Sequence, residues 1–215
     1  MMNSYFFVRT PIQYYNALEA RANNSQATKS TLVVLSDFKA TLIQFEGLID
    51  DQIWNEVITP WYKYQKLTRF KLLNRLLNLN RRIALHKILK KINKDDMVFW
   101  GNYNSIWLRY FLARKNNTVT ILDDGFATLS LVEHLKNDNI EFKKSSNIAG
   151  SLESILVCSS TSIPIRRLKF FTSFKNLAQV INDRCTYTEY PFLRKKANHK
   201  LSVEKKMYFI GQPLI

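Results

Sequence analysis

Cysteine, histidine and glycine are scarce in this chain, and each scarcity removes a class of function. Its two cysteines, Cys158 and Cys185, have no metal-ligand spacing and fit a disulfide-stapled secreted fold poorly. Isolated thiols fit a reducing cytosol. The three histidines, His86, His134 and His199, are scattered, with no pair at i, i+4, so no catalytic metal site is expected. Only five glycines occur, and none falls in a Gly-x-Gly-x-x-Gly, Walker or Gly-x-Ser-x-Gly pattern. His-Glu-x-x-His is missing too. Dinucleotide oxidoreductases, P-loop ATPases, α/β-hydrolases and zincins lose support together.

Long apolar runs are also lacking. No stretch reaches the roughly 18 uncharged apolar residues of a membrane-spanning helix. The apolar start, Met1 to Arg9, has no basic leader and no small-residue cleavage site, so it reads as a first strand rather than a signal peptide. Acids are few as well: 17, against 32 Lys and Arg, for a net charge of +15. That balance favours an anionic partner, such as acidic lipid, nucleic acid or a sugar nucleotide. No helix-turn-helix, zinc-finger or RNP-type aromatic signature is present, so nucleic acid is not the expected partner.

What is abundant is core-forming material: 46% of the 215 residues are hydrophobic. They come in short β-branched or aromatic runs separated by helical periodicity. Strands are expected at Tyr5–Val8, Thr31–Leu35, Trp54–Thr59, Met97–Trp100 and Thr118–Leu122, with weaker candidates at Leu152–Val157 and Thr186–Tyr190. A first helix opens on Thr10 as cap and Pro11, with Ile12, Tyr15, Leu18 and Ala22 as its inner stripe. A second follows Ser36-Asp37, with Phe38, Leu42, Ile43 and Phe45 inward. Residues 57–94 hold 11 Lys or Arg and no acid. Two basic amphipathic helices are expected there, bent near Asn78 and Asn80. Another helix covers Ser105–Lys115, and one more runs from the acidic loop through Leu135.

This alternation predicts an α/β fold: a Rossmann-like parallel sheet with helices on both faces. Such sheets place ligands at the carboxyl ends of their strands. Ser36-Asp37, Gly101-Asn102 and Asp123-Asp124-Gly125 all fall at such ends. A strand-end carboxylate can take a proton from a hydroxyl, and Gly125 permits a tight turn and close ligand approach. An Asp-Gly turn with helix-capping acids accounts for Asp123 and Asp124 equally well. Free N–H groups at Thr10-Pro11-Ile12-Gln13 can meet an anion or a sugar hydroxyl, though a plain helix cap explains them too. Gly101 and Asn102 are either a sugar-facing loop or an ordinary turn. Ser159-Ser160 reads as a polar strand end, and His134 as a half-exposed helix residue. The basic stretch 63–94 can dock on anionic membrane or simply face solvent.

Three segments together carry a resemblance. Phe7-Val8-Arg9-Thr10-Pro11-Ile12-Gln13-Tyr14-Tyr15-Asn16-Ala17 is similar to the start of the bacterial glycosyltransferase family 52 proteins, which include lipooligosaccharide sialyltransferases. Ile121-Leu122-Asp123-Asp124-Gly125 resembles the acidic motif shared by bacterial sialyltransferases and polysialyltransferases. Tyr208-Phe209-Ile210-Gly211-Gln212-Pro213-Leu214 resembles the strand that opens their second domain. The resemblance implies the N-terminal, acceptor-side domain of a GT-B-type glycosyltransferase. It implies inverting, metal-independent transfer of sialic acid from CMP-sialic acid to a cell-surface glycan. It places the base on Asp124 first and Asp123 second. Gly125, Thr10, Pro11, Gln13, Gly101, Asn102 and Gln212 become substrate-binding candidates. No cofactor beyond the donor substrate is implied. The isolated cysteines and the basic stretch 63–94, not the resemblance, point to a cytoplasmic location with peripheral contact at the inner face of a bacterial membrane.

The resemblance also implies a division of the chain. Residues 1–193 form the Rossmann-like domain, 194–206 a polar, basic connector, and 207–215 the first strand of a truncated donor-binding domain. The family's His-Pro motif belongs to that second domain, and no His-Pro dipeptide occurs here. On that reading this chain is a fragment that binds CMP-sialic acid poorly and does not turn over.

Overall fold

Aromatic and β-branched runs become strands because each is buried on both sides, and helices must cover both faces. In the computed structural model, the described residues are 2–24, 26–36, 39–50, 52–60, 71–124, 139–141, 162–175, 179 and 182–201. Numbered in chain order, the described strands are β1 (Asn3–Val8), β2 (Lys29–Val34), β3 (Glu56–Ile58), β4 (Met97–Trp100), β5 (Val119–Leu122), β6 (Asn139–Glu141), β7 (Ser162–Pro164), β8 (Leu168–Thr172) and β9 (Cys185–Tyr187). The α-helices are α1 (Pro11–Ala22), α2 (Lys39–Glu46), α3 (Lys71–Lys90), α4 (Ile106–Leu112) and α5 (Pro191–Leu201).

Seven strands form one sheet in the order β3-β2-β1-β4-β5-β8-β9. Every pairing in it is parallel. The chain starts in the middle at β1, steps outward through β2 and β3, and returns to the far side of β1 with β4. β1 and β4 are therefore the point at which the winding reverses, the arrangement of a doubly wound α/β sheet. The small β6–β7 ribbon is antiparallel and stands apart from the main sheet.

Alternation along each strand divides the core into two layers. Phe6, Val8, Leu32, Val34, Phe99, Leu122 and Phe171 pack with Tyr14, Ala17 and Leu18 of α1 and Leu42 and Phe45 of α2. Phe192 and Leu193 of α5 join that side. Phe7, Val33, Val98, Trp100, Ile121 and Phe170 pack with Leu85, Ile88 and Leu89 of α3 and Trp107, Leu108 and Phe111 of α4. The register of β1 with β4 places Phe6 opposite Phe99 and Phe7 opposite Trp100. Both pairs stack, with ring centroids 4.4 and 4.3 Å apart.

Several expectations change. Of the expected Ile12–Tyr15–Leu18–Ala22 stripe of α1, Leu18 is buried and Tyr15 packs against the core, but the buried face is centred elsewhere. Ile12 is 52% exposed, whereas Gln13, Asn16 and Glu19 are buried. Polar residues turn inward because each finds hydrogen-bond partners. Ile43 of α2 also points outward, at 55% exposure. The expected pair of basic helices is one continuous helix across Asn78 and Asn80. No Gly or Pro lies within α3, and an interior asparagine costs under about 0.7 kcal/mol relative to alanine. β8 was not expected at all. The connector expected from 194 is helical through 201, because α5 starts at Pro191 and is docked on the domain. Asp37, Phe38, Gly125, His134, Cys158, Ser159, Ser160 and Gln212 lie outside the described residues, as do the candidate strands at 152–157 and 207–215, the helix after the acidic loop and the segment 63–70. Among the described residues, no helix is long and apolar enough to cross a membrane.

Candidate functional site

The carboxyl ends of β1, β4, β5 and β8 meet beside the first turns of α1. Thr10 is extended and caps α1, its Oγ1 accepting from the Gln13 N–H at 3.4 Å, with Pro11 entering the first turn. Helical spacing of three then sends Gln13, Asn16 and Glu19 into the interior, at 1, 3 and 0% exposure. Each holds a different part of the fold.

Gln13 sits between strand ends. Its Oε1 accepts the Arg9 N–H at 2.8 Å, and its Nε2 donates to Asp124 Oδ1 at 2.9 Å. A backbone N–H can only donate, so it fixes which way the amide faces. The room for Gln13 comes from Gly101. A Cβ there would stand 2.6 Å from Gln13 Cδ and 2.8 Å from Gln13 Cβ. Gly101 is required for this close approach rather than for any unusual backbone angle.

Asn16 donates through Nδ2 to the Asp123 carbonyl at 2.7 Å and to the Ile12 carbonyl at 3.2 Å. Its Oδ1 accepts from the Tyr190 hydroxyl at 2.6 Å. Tyr190 itself has φ 56°, a left-handed conformation that a tyrosine adopts at some cost. Burial raises its hydroxyl pKa, so it stays a neutral donor.

The two adjacent carboxylates have separate environments. Asp123 is 3% exposed, and its Oδ2 accepts from Thr172 Oγ1 at 2.9 Å and from the N–H and Oγ of Ser173, each at 3.3 Å. It ties β5 to β8. Asp124 is half-buried, and its pKa is pushed up to about 6. Desolvation is the main cause. The Gln13 hydrogen bond and the charge of Arg9 oppose it, while the neighbouring Asp123 adds to it. A carboxyl group that titrates near 6 is largely ionised at neutral pH, yet a better proton acceptor than an ordinary aspartate.

Between the ends of β1 and β4 lies a shallow recess of only about 30 Å³, open to solvent. Arg9, Gln13, Asn102, Ser105, Trp100 and Trp107 are among its walls. Asn102 is half-buried and its Oδ1 accepts from the Asn104 N–H at 2.7 Å, holding the loop before α4. Ser105 caps α4 by accepting from the Trp107 N–H at 3.2 Å.

Of the residues expected from sequence, Asp123, Asp124, Thr10, Gln13, Gly101 and Asn102 come together at this edge, and Pro11 serves as the first helical residue. Of the two readings of Thr10–Gln13, the plain helix cap is the one seen: the Gln13 N–H is taken by Thr10, and its side chain serves Asp124. Asn16, Glu19, Thr172, Ser173 and Tyr190 were not anticipated. The signal for the first two was present, as polar residues spaced by three from Gln13 inside an apolar helix. Thr172 and Ser173 follow Leu168-Lys169-Phe170-Phe171, an apolar run whose end is again polar. Among the described residues, no group of three His, Cys, Asp or Glu side chains is placed to hold a metal ion. The chain matches no protein-family model, no curated protein and no solved structure.

Proposed function

We propose that this chain is the acceptor-side domain of a GT-B-type, sialyltransferase-like glycosyltransferase, with Asp124 as general base. The observation that carries the reading is Asp124 itself. It is a half-buried carboxyl group with a pKa near 6, at the end of β5, next to the strands where the winding reverses. Parallel α/β sheets bind their ligands at such a point.

In the proposed reaction an acceptor hydroxyl comes within hydrogen-bond reach of Asp124. Its oxygen bonds to the anomeric carbon of the donor sugar as the bond from that carbon to the phosphate oxygen breaks. The nucleotide, CMP for a sialic acid donor, leaves with the electron pair. Asp124 takes the hydroxyl proton. Asp123 holds the loop through Thr172 and Ser173 and does not touch the reacting atoms. Attack opposite the leaving group inverts the anomeric centre, as the resemblance to sialyltransferases implies. A different sugar nucleotide would use the same base, so the donor class rests on that resemblance.

The test is transfer from CMP-sialic acid to a galactose-terminated acceptor by the full-length protein. Asp124→Asn is expected to lower the rate at least about 100-fold with the fold intact. Retained transfer would remove Asp124 from the role. Activity with other sugar nucleotides alone would correct the donor.

A further inference from the structure

The sheet separates charge as well as core. The layer made by α3 and α4 contains no acid in either helix. Between the end of β3 and the end of β5, residues 59–122 hold 14 Lys and Arg against two acids, Asp95 and Asp96. Asp96 is buried, and its carboxylate accepts the backbone N–H groups of Asn3 and Asn93 at 2.9 and 2.7 Å. It offers nothing to the surface. The opposite layer mixes signs: Lys196 pairs with Asp50 at 3.1 Å, and Arg194 lies 4.0 Å from Glu189.

The outer side of α3 has a second property. Leu85, Ile88 and Leu89 pack on the sheet. On the opposite side of the helix, Leu79 is half-buried, Ile83 is 47% exposed, and Lys87 and Lys90 are exposed, at helical spacings of four and three along one stripe. An isoleucine projects where the core gives it no reason to be, with lysines beside it. Lys94 continues the positive edge, next to the exposed Asp95, while Lys91 lies 3.9 Å from Glu56 of β3. Contacts between the helices bring α4 into the same surface. Tyr110 of α4 is hydrogen-bonded to His86 of α3 at 3.2 Å, and the Arg114 guanidinium stacks 3.9 Å over the Tyr110 ring. With 20 residues, α3 is about 30 Å long. It is long enough to lie flat on a surface several lipid headgroups wide.

We propose that the outer face of α3, with the adjoining end of α4, docks on an anionic phospholipid surface. The charge selects an anionic partner. The exposed Ile83 selects lipid over nucleic acid: an apolar side chain among lysines gains by entering the headgroup–acyl boundary and gains nothing from a row of phosphates. Lysine stems lie along the apolar side chains while the ammonium groups reach the phosphates. The surface is on the face of the sheet away from α1, so docking does not need Asp124, and the proposal is independent of the transferase reading.

The experiment is co-sedimentation of the chain with vesicles of phosphatidylglycerol and phosphatidylethanolamine, with phosphatidylcholine vesicles as the neutral control. Binding is expected to the anionic vesicles only, falling as salt rises. Lys87→Glu/Lys90→Glu is expected to weaken it at least about tenfold. Arg194→Glu/Lys195→Glu changes the net charge equally on exposed positions of α5 and is expected to change binding far less. Ile83→Asp is expected to weaken vesicle binding several-fold while leaving binding to a short DNA duplex nearly unchanged. Equal loss in both charge-reversed pairs would mean that net charge, not this face, drives binding, and would overturn the proposal. So would an Ile83→Asp protein that binds vesicles as tightly as the original, or an original protein that prefers the duplex.

Discussion

Gln13 Nε2 donates to Asp124 Oδ1 across 2.9 Å, linking the first turn of α1 to the end of β5. The bond favours the ionised carboxylate, and burial opposes it more strongly, which leaves the pKa of Asp124 near 6. A raised acid pKa means that the folded state binds more protons than the unfolded chain between about pH 4 and 6. The stabilisation is complete below the unfolded value and is lost as pH rises through the folded one. At neutral pH the protein therefore holds an ionised carboxylate at a cost. Asp124→Asn keeps an oxygen for Gln13 and removes the charge. We expect it to be more stable than the original near pH 7.5, by about 1–2 kcal/mol after allowance for partial exposure, and close to equal near pH 4. Urea denaturation of both proteins at the two pH values checks this. A variant less stable at both would mean that Asp124 is a structural anchor.

Gly101 determines whether that bond can form. A methyl group at this position would overlap the Gln13 side chain, which is held by the Arg9 N–H just after β1. Gly101→Ala should therefore cost about 1–3 kcal/mol by overpacking. It should also push Gln13 away from Asp124 and raise the Asp124 pKa, since the lost hydrogen bond is one that lowers it. Thermal melting reads the first effect and NMR titration of the Asp124 carboxyl carbon the second. An unchanged titration with lowered stability would show that Gln13 tolerates the methyl by moving without leaving Asp124.

Glu19 gives a prediction about α5. Its carboxylate is fully buried, yet both oxygens are used: Oε1 accepts the Phe192 N–H at 3.2 Å and Oε2 the Leu193 N–H at 3.0 Å. A carboxylate from α1 thus caps a helix nearly 175 residues later, where the helix dipole also favours a negative charge. Glu19→Ala should cost about 2–4 kcal/mol and release the first turn of α5. Hydrogen exchange should accelerate at residues 192–197, and trypsin should cut at Lys195 or Lys196 in the variant first. If residues 194–201 were an undocked connector, exchange there would be fast in both proteins.

These contacts mark where the sequence was readable. Strands β1, β2, β4 and β5 were legible because an apolar or β-branched run buried on both faces has few other uses, and Met97–Trp100 falls on the expected residues. The turn chemistry at Thr10-Pro11 and Ser105 was legible because a cap acts within three residues. β8 was missed because Lys169 interrupts its apolar run and no strong helical pattern precedes it. The inner face of α1 was misread because hydropathy ranks Ile12 above Gln13. Only the fold supplies the partners, Asp124, the Asp123 carbonyl and the α5 N–H groups, that make Gln13, Asn16 and Glu19 interior residues. Tyr190 carried no local signal, since its hydroxyl reaches Asn16 across 174 residues of sequence.

The pH dependence of activity separates a positioning role for Gln13 from a purely structural one. If Asp124 is the base, kcat/KM for transfer by the full-length protein should rise with pH, with a limb near the Asp124 pKa of about 6, and level off above it. Gln13→Leu removes the donor that favours the ionised carboxylate, so the limb should move to higher pH, and the plateau should fall as the carboxylate loses its orientation. The Arg9 N–H also loses its acceptor, so some stability should be lost with it. A mainly structural Gln13 would lower the plateau, by reducing the folded fraction, and leave the limb in place. Gln13→Glu provides the complementary case. It would put a second acid 2.9 Å from Asp124, where the side-chain amide now sits. Two such carboxyl groups share a proton rather than both ionise. The limb should then shift further upward than in Gln13→Leu, although Glu is the closer match in shape. The order original, Gln13→Leu, Gln13→Glu along the pH axis is therefore the expected result. The reverse order of the two variants would mean that the side chain at position 13 acts on Asp124 through packing alone.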